Sequence, residues 1–262
     1  HRDHYTQAYV VGQETGADVS LGIGDKASLD VMHSDTLTQD PNVDRLLQAG
    51  ADEVAEAWRK LFEGHVRPST DDYGYPSTWL DSDFTIDLGT RQLAAVSTPG
   101  HTQGHYVFAD IQAGVLFAGD HVLPTITPSI GFEPAWVEQP LKDFLESLVK
   151  VRALPDMALL PAHGPVAVSS HDRVDELLTH HEERLQQCVE AVAQGASTAW
   201  EAAALIPWTR RNRTRDELGP FDQVMAAFET LAHLNLLVLQ GRLSSEDNGK
   251  TRLYRSAPFG IK

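Results

Sequence analysis

Three apolar segments of this chain end on a metal-type side chain beside a glycine: Ser97-Thr98-Pro99-Gly100-His101-Thr102, Phe117-Ala118-Gly119-Asp120-His121 and Leu160-Pro161-Ala162-His163-Gly164. Ligands at strand ends sit on rigid scaffold, as a preorganised site requires. The neighbouring glycines allow the backbone to turn tightly there. A fourth cluster stands at the start, His1-Arg2-Asp3-His4, with two imidazoles and a carboxylate within four residues. Together these give His1, Asp3, His4, His101, Asp120 and His163, a donor set suited to zinc or another borderline first-row metal.

The pattern around these points alternates between helix and strand. Tyr5 to Glu14 reads as a helix, Ala17 to Leu21 as a strand and Lys26 to Met32 as a helix. From about Asp40 to Glu63, Leu46, Leu47, Val54, Trp58, Leu61 and Phe62 recur at helical spacing. After a Pro- and Gly-bearing loop (Pro68 to Pro76) the period shortens. Phe84 to Leu88, Gln92 to Ser97, Tyr106 to Phe108 and Val115 to Phe117 read as consecutive strands. Trp136 to Leu154 and Asp172 to Ala193 read as helices, with a buried strand, Met157 to Leu160, between them. Beyond Gly195-Ala196-Ser197 two helices (Thr198 to Ile206, Phe221 to Leu234) precede a hairpin, Leu236 to Leu243 and Thr251 to Tyr254. That order predicts a winged-helix-like unit at 196–262 after a main domain at 1–195.

With 262 residues and 42% hydrophobic content the chain can build a large core. A single cysteine, Cys188, excludes an intrachain disulfide and a Cys-rich zinc site. The longest apolar runs fall short of the roughly 20 residues of a membrane span. The net charge is −16. From Ser197 onward nine Lys and Arg face seven Asp and Glu, which leaves 12 against 30, or −18, on the first 196 residues. Such a body repels nucleic acid and anionic membranes.

The order HxDH, TPGHT, FAGD, PAHG resembles the metallo-β-lactamase superfamily over roughly residues 1–195. The resemblance implies an α/β fold, the αββα metallo-β-lactamase sandwich. It implies two divalent metal ions, with zinc first and iron or manganese compatible. His1 and His101 would hold one ion, Asp3, His4 and His163 the other, and Asp120 would bridge them. It further implies a His two residues before His1 and opening strands ahead of it, so an N-terminal extension is expected. The C-terminal unit is similar to that of the β-lactamase-like protein 2 branch.

The expected activity is that of a metal-dependent hydrolase, in which a hydroxide held between two ions attacks a carbonyl ester, thioester, lactone or amide. Asp120 and Asp3 are the catalytic candidates, Asp120 positioning the nucleophile and taking a proton. The expected partner is a small-molecule substrate, in a cytoplasmic setting and with a homodimer left open. The alternatives are a nuclease for single-stranded nucleic acid, to which the run Arg210-Arg211-Asn212-Arg213-Thr214-Arg215 would contribute, and a non-catalytic regulatory protein. His105 and His121 are candidates for positioning the ligands. His33, His65, His171, His180 and His181 are expected to face solvent. Thr125 to Phe132, with Trp79 and Trp136, is expected to border the pocket. The segment from Asp40 to Asp83 is expected to lie over that pocket as a lid or a dimer surface.

Overall fold

A computed structural model describes residues 2–34, 40–62 and 73–257, with the backbone alone for Arg2, Asp3 and Phe62. Its centre is a mixed five-stranded sheet, β3 (Phe84–Asp87), β4 (Gln92–Ser97), β5 (Tyr106–Asp110), β6 (Val115–Gly119) and β7 (Ala158–Pro161), in that spatial order. The first four strands pair antiparallel; β7 lies parallel to β6, with Leu116 opposite Leu159. A parallel strand pair requires a long crossover. Here the connection carries α5 (Pro140–Arg152), opened by Pro140 at its first turn, where a missing N–H costs nothing. The crossover brings the ends of β6 and β7 side by side, which places Asp120 next to the segment bearing His163.

Strand alternation decides which sheet face is dry. Leu116 and Ala118 of β6 are buried beneath the helices, whereas Phe117 between them is 46% exposed on the other face. Against the dry face pack α5, α6 (Ser170–Ala193) and α8 (Pro220–Leu239). Phe144, Leu148, Leu177, Leu185, Leu234 and Leu237 are fully or almost fully buried there. One apolar cluster runs without a break from Val43 to Tyr254. Before the sheet stand α1 (Arg2–Thr15), α2 (Lys26–Met32) and the strand pair β1 (Ser20–Gly22) and β2 (Thr78–Leu80), which run parallel.

The expected helix of residues 40–63 is two helices, α3 (Asn42–Gln48) and α4 (Asp52–Phe62), broken at Gly50. They do not form a lid. Val43, Leu46, Ala55 and Trp58 are buried in the main core, where the apolar side of each helix is removed from water; Tyr73, farther along the expected segment, lines a cavity. Residues 63–72, and with them His65, lie outside the described residues.

The C-terminal order is α7 (Ala199–Leu205), α8, then the hairpin β8 (Leu243–Asn248) and β9 (Thr251–Ser256). A reciprocal cap starts α7: Thr198 Oγ1 accepts from Glu201 N at 3.1 Å and Glu201 Oε2 from Thr198 N at 3.2 Å. The run Leu236 to Leu239, expected as strand, continues α8. An unbroken apolar run fits a buried helix as well as a strand, and here the helix keeps Leu234 and Leu237 in the core. The hairpin is tied back by Tyr254 N to Ser197 O at 2.8 Å and by Thr251 Oγ1 to Leu47 O at 3.1 Å on α3. Among the described residues no helix is long and apolar enough to cross a membrane.

His181, expected to face solvent, is buried between α6 and α8. Its Nδ1 stands 3.1 Å from Nε2 of His233, whose Nδ1–H donates to the Glu229 carbonyl at 2.6 Å. Burial pushes His233 down to about 3, so this pair is neutral. Phe144 links it to the sheet, with its ring edge-on to both His181 (5.4 Å) and His121 (5.0 Å). Phe144→Ala is expected to cost about 3–5 kcal/mol of unfolding free energy. Urea unfolding measures this, and a loss under about 1 kcal/mol would show that the site collapses around the change.

Candidate metal centre

Asp120 is the hub of the candidate site. It follows β6 at a turn made by Gly119, whose φ of +52° is a left-handed value. A Cβ at Gly119 would stand 2.6 Å from His105 Nε2, so no larger residue fits without moving that ring. The contact has a purpose. The main-chain N–H of Asp120 donates to His105 Nε2 at 3.2 Å, and the opposite nitrogen, Nδ1, lies 2.8 Å from Thr98 Oγ1. Since Nε2 accepts, Nδ1 carries the proton and donates to the threonine. Burial, more than the neighbouring imidazoles, holds His105 well below its usual range, so it stays neutral and keeps that tautomer.

Three imidazoles surround the Asp120 carboxylate. His4 Nε2 stands 3.0 Å from Oδ2, His101 Nε2 3.4 Å from Oδ2 and His163 Nε2 3.5 Å from Oδ1. Burial works against ionisation of Asp120, but His101, His4 and His163 outweigh it and hold the carboxyl well below the usual carboxylate range. His101 Nδ1 lies 2.9 Å from the Ser129 carbonyl, a contact that holds the ring with Nε2 turned toward Asp120. Donor atoms of His4, Asp120 and His163 all lie within 4.8 Å of one another, and the His4 and His163 rings meet edge-on at 5.3 Å. The side chains of His101 and Asp120 are 6% and 7% exposed, those of His4 and His163 42% and 51%. The cluster is therefore anchored on its inner side and open on its outer side.

This donor set fits a divalent metal. Imidazole nitrogens approach both oxygens of one carboxylate, and its Oδ1 is buried and accepts no hydrogen bond among the described residues. Four of the six expected ligands, His4, His101, Asp120 and His163, thus come together. His1 and the side chain of Asp3 lie outside the described residues; the backbone of Asp3 is in the first turn of α1.

The loops that carry the ligands are pinned from outside. Arg173 on α6 donates to the carbonyls of Leu123 (2.6 Å) and Ile126 (2.9 Å), and Arg210 donates to that of Thr125 (2.9 Å). Ala162 N donates to Gly119 O at 2.9 Å, joining the His163 segment to the Asp120 turn. Arg215, from the same basic run as Arg210, stacks on Trp200 at 3.7 Å and pairs with Asp216. Two members of that run are therefore engaged within the chain.

Two carboxyl groups belong to this neighbourhood that sequence reasoning did not single out. Asp25 Oδ1 accepts from Gly104 N at 2.7 Å and Oδ2 from Thr102 Oγ1 at 3.3 Å, three residues and one residue past His101. It reaches them because Gly22 and Gly104 touch backbone to backbone; a Cβ on Gly22 would meet Gly104 O at 2.1 Å. Glu133 Oε2 accepts from Gln103 N (3.3 Å) and Ser28 Oγ (3.4 Å). The loop bearing it is clamped by buried Arg45 of α3, which donates to Gly131 O at 2.8 Å and also to Ala135 O. These partners lie tens of residues apart, so no local pattern announces them. Of the expected border residues, Phe132 lines a cavity shared with Tyr5 and Thr102, the chain neighbours of His4 and His101, whereas Trp136 is half exposed next to Arg45.

His105→Ala is expected to weaken divalent-metal affinity roughly 10–100-fold, because the Asp120 turn loses its anchor. Competition with a chromogenic chelator reads this, with circular dichroism to check the fold. Unchanged affinity would separate His105 from the centre. A second expectation concerns pH. Burial and the Asp25 charge raise Glu133 from 4.5 to about 8. Between those values the folded protein holds a proton that the unfolded chain has lost, so stability falls as pH rises through this window and levels off above it. Glu133→Gln removes the titration. Its thermal midpoint should exceed the wild type by about 5 °C at pH 9, the gap closing toward pH 5; a pH-independent gap would refute the assignment.

The matches to known proteins follow the same lines. Residues 40–163 match the metallo-beta-lactamase superfamily model. The beta-lactamase-like protein 2 homolog of Drosophila melanogaster is 26% identical over 62% of this chain and 51% of its own length. A hydroxyacylglutathione hydrolase of Bartonella quintana is 33% identical over 45% of this chain and 44% of its own. The chain therefore spans about half the length of these curated relatives or less. A crystal structure of a metallo-beta-lactamase family protein from Thermus thermophilus superposes with a TM-score of 0.74 and 27% identity, covering 98% of this chain and 77% of that one. The strand-end cluster, the fold and these matches agree: residues 40–163 match the metallo-β-lactamase superfamily, and the fold is that of a metallo-β-lactamase family protein over 98% of the chain.

Proposed function

We propose that the protein is a metal-dependent hydrolase of a small carbonyl substrate: an ester, thioester or lactone. The observation that carries this reading is the convergence of His4, His101 and His163 on the buried carboxylate of Asp120. Divalent ions bound there supply Lewis acidity and make a water nucleophilic near neutral pH. Zinc is the first candidate, and iron or manganese suit the same donors. His4, His101, Asp120 and His163 would hold the ions, with His1 and Asp3 the further candidates from the sequence.

The chain's own contribution is orientation. Asp120 stays ionised under its three imidazoles, so it accepts a hydrogen bond from an attacking water and aligns it. The half-exposed His4 and His163 mark the side from which substrate approaches. A cavity of about 350 Å³ is lined by Tyr5 and Thr102, the residues that follow His4 and His101, and its size suits part of a small molecule. Likeness to a hydroxyacylglutathione hydrolase over part of the chain supports a thioester among the candidates. The nuclease reading gains little: the net charge is −16, and Arg210 and Arg215 are held by internal partners.

The test joins metal analysis to a panel of thioesters, esters and lactones. Turnover should vanish with chelator and return with zinc, manganese or iron. Asp120→Asn should lower kcat by at least about 100-fold. No metal-dependent turnover on any carbonyl substrate overturns the reading, and salt-dependent binding of single-stranded RNA would put the nuclease in its place.

A further inference from the structure

Two wall residues of the cavity of about 350 Å³, Tyr5 and Thr102, directly follow His4 and His101 in the chain. Much of the wall is hydrocarbon, with Leu29, Met32 and Phe132. Besides the hydroxyls of Tyr5, Ser28, Tyr73 and Thr102, the wall carries two acidic side chains, Asp25 and Glu133. Both oxygens of Asp25 already accept hydrogen bonds, from Gly104 N and Thr102 Oγ1. Glu133 differs. Its Oε2 takes Gln103 N and Ser28 Oγ, but Oε1 is buried and accepts nothing among the described residues.

A buried carboxylate oxygen without a donor costs the full desolvation of that atom. Arg45 does not supply the donor, because its guanidinium is directed at Asn42 Oδ1 and the carbonyls of Gly131 and Ala135. Burial and the charge of Asp25 push Glu133 up to about 8, and a cation placed in the cavity would relieve both causes.

We propose that this cavity receives the ammonium group of an amine-bearing carbonyl substrate, with Glu133 Oε1 as the anchoring acceptor. The proposal rests on the carbonyl-hydrolase reading and narrows its substrate class. An ammonium brings a charge and several donors to a place that has two carboxyl groups and one unused acceptor. A short hydrocarbon stem fits the walls, while the reacting carbonyl lies toward the cluster. A substrate ending in a carboxylate or a phosphate brings no donor to that acceptor and meets the charge of Asp25.

A matched pair of thioesters tests this: the ethyl thioesters of phenylalanine and of 3-phenylpropionic acid, which differ by the amine. With rates corrected for spontaneous hydrolysis, the wild type should favour the phenylalanine thioester in kcat/KM by about tenfold or more. Glu133→Gln should bring the ratio close to one, chiefly through KM, and Glu133→Asp should restore part of it. Calorimetry with phenethylamine and phenethyl alcohol gives a readout without turnover. The amine should bind about tenfold more tightly, with the metal present or chelated, and the advantage should disappear in Glu133→Gln. If that variant fails to fold, the comparison of amine with alcohol in the wild type still decides. Turnover of both thioesters without preference overturns the proposal and leaves the hydrolase reading standing. Amine binding that depends on Glu133, without metal-dependent turnover of either thioester or of any ester or lactone in the panel, overturns the hydrolase reading and keeps the pocket.

Discussion

The hydrogen bond from the Asp120 main-chain N–H to His105 Nε2 is the contact on which the site depends. It fixes the direction in which the chain leaves β6, and so the direction of the carboxylate around which three imidazoles gather. It also fixes the proton on His105, which in turn engages Thr98 at the end of β4. Thr98 and His105 flank the loop that bears His101, and Thr98 N donates to His105 O at 2.8 Å to close that loop. One imidazole therefore sets the geometry of two ligand segments at once. The requirement is paid for at Gly119, where no side chain would fit beside the ring.

Around that centre the sheet and the helices share the work by location. The strand ends hold the inner ligands, His101 and Asp120, nearly dry. The helix start and the β7 exit bring His4 and His163 to the half-open side. α6 and α3 then act through arginines that reach carbonyls of the connecting loops, Arg173 at Leu123 and Ile126 and Arg45 at Gly131. A guanidinium offers several donors in a rigid fork, so one side chain can hold two backbone points. Loops held in this way keep a shape that their own sequence does not dictate.

That division explains what was legible in the sequence. His101, Asp120 and His163 could be read because each ends an apolar strand beside a glycine, and strand period and glycine are local signals. His4 could be read from its neighbours in the HxDH cluster. Asp25 and Glu133 could not, since each depends on partners on another loop, Asp25 on Thr102 and Gly104, Glu133 on Ser28 and Gln103. The same holds for His181, whose burial follows from the packing of α8 on α6 and not from its own helix pattern, where polar neighbours suggest an outward face. The run Leu236 to Leu239 misled because an unbroken apolar stretch has no period to read, and it continues α8 with Leu236 and Leu237 buried. The order of β3 to β6 was within reach, since short connections put them in sequence, and the long connection before β7 permits the parallel pairing found there.

The contact between Gly22 and Gly104 is backbone against backbone, completed by hydrogen bonds from the neighbouring loop to Asp25. Steric contact does not feel counter-ions, and a carboxyl so deeply placed is screened far less than a surface pair. The loop that presents His101 is thus seated by terms that ionic strength barely touches, whereas the surface pairs elsewhere on this acidic molecule weaken as salt is added. The molecule's outer charge can change with its surroundings while the register of its inner ligands stays the same.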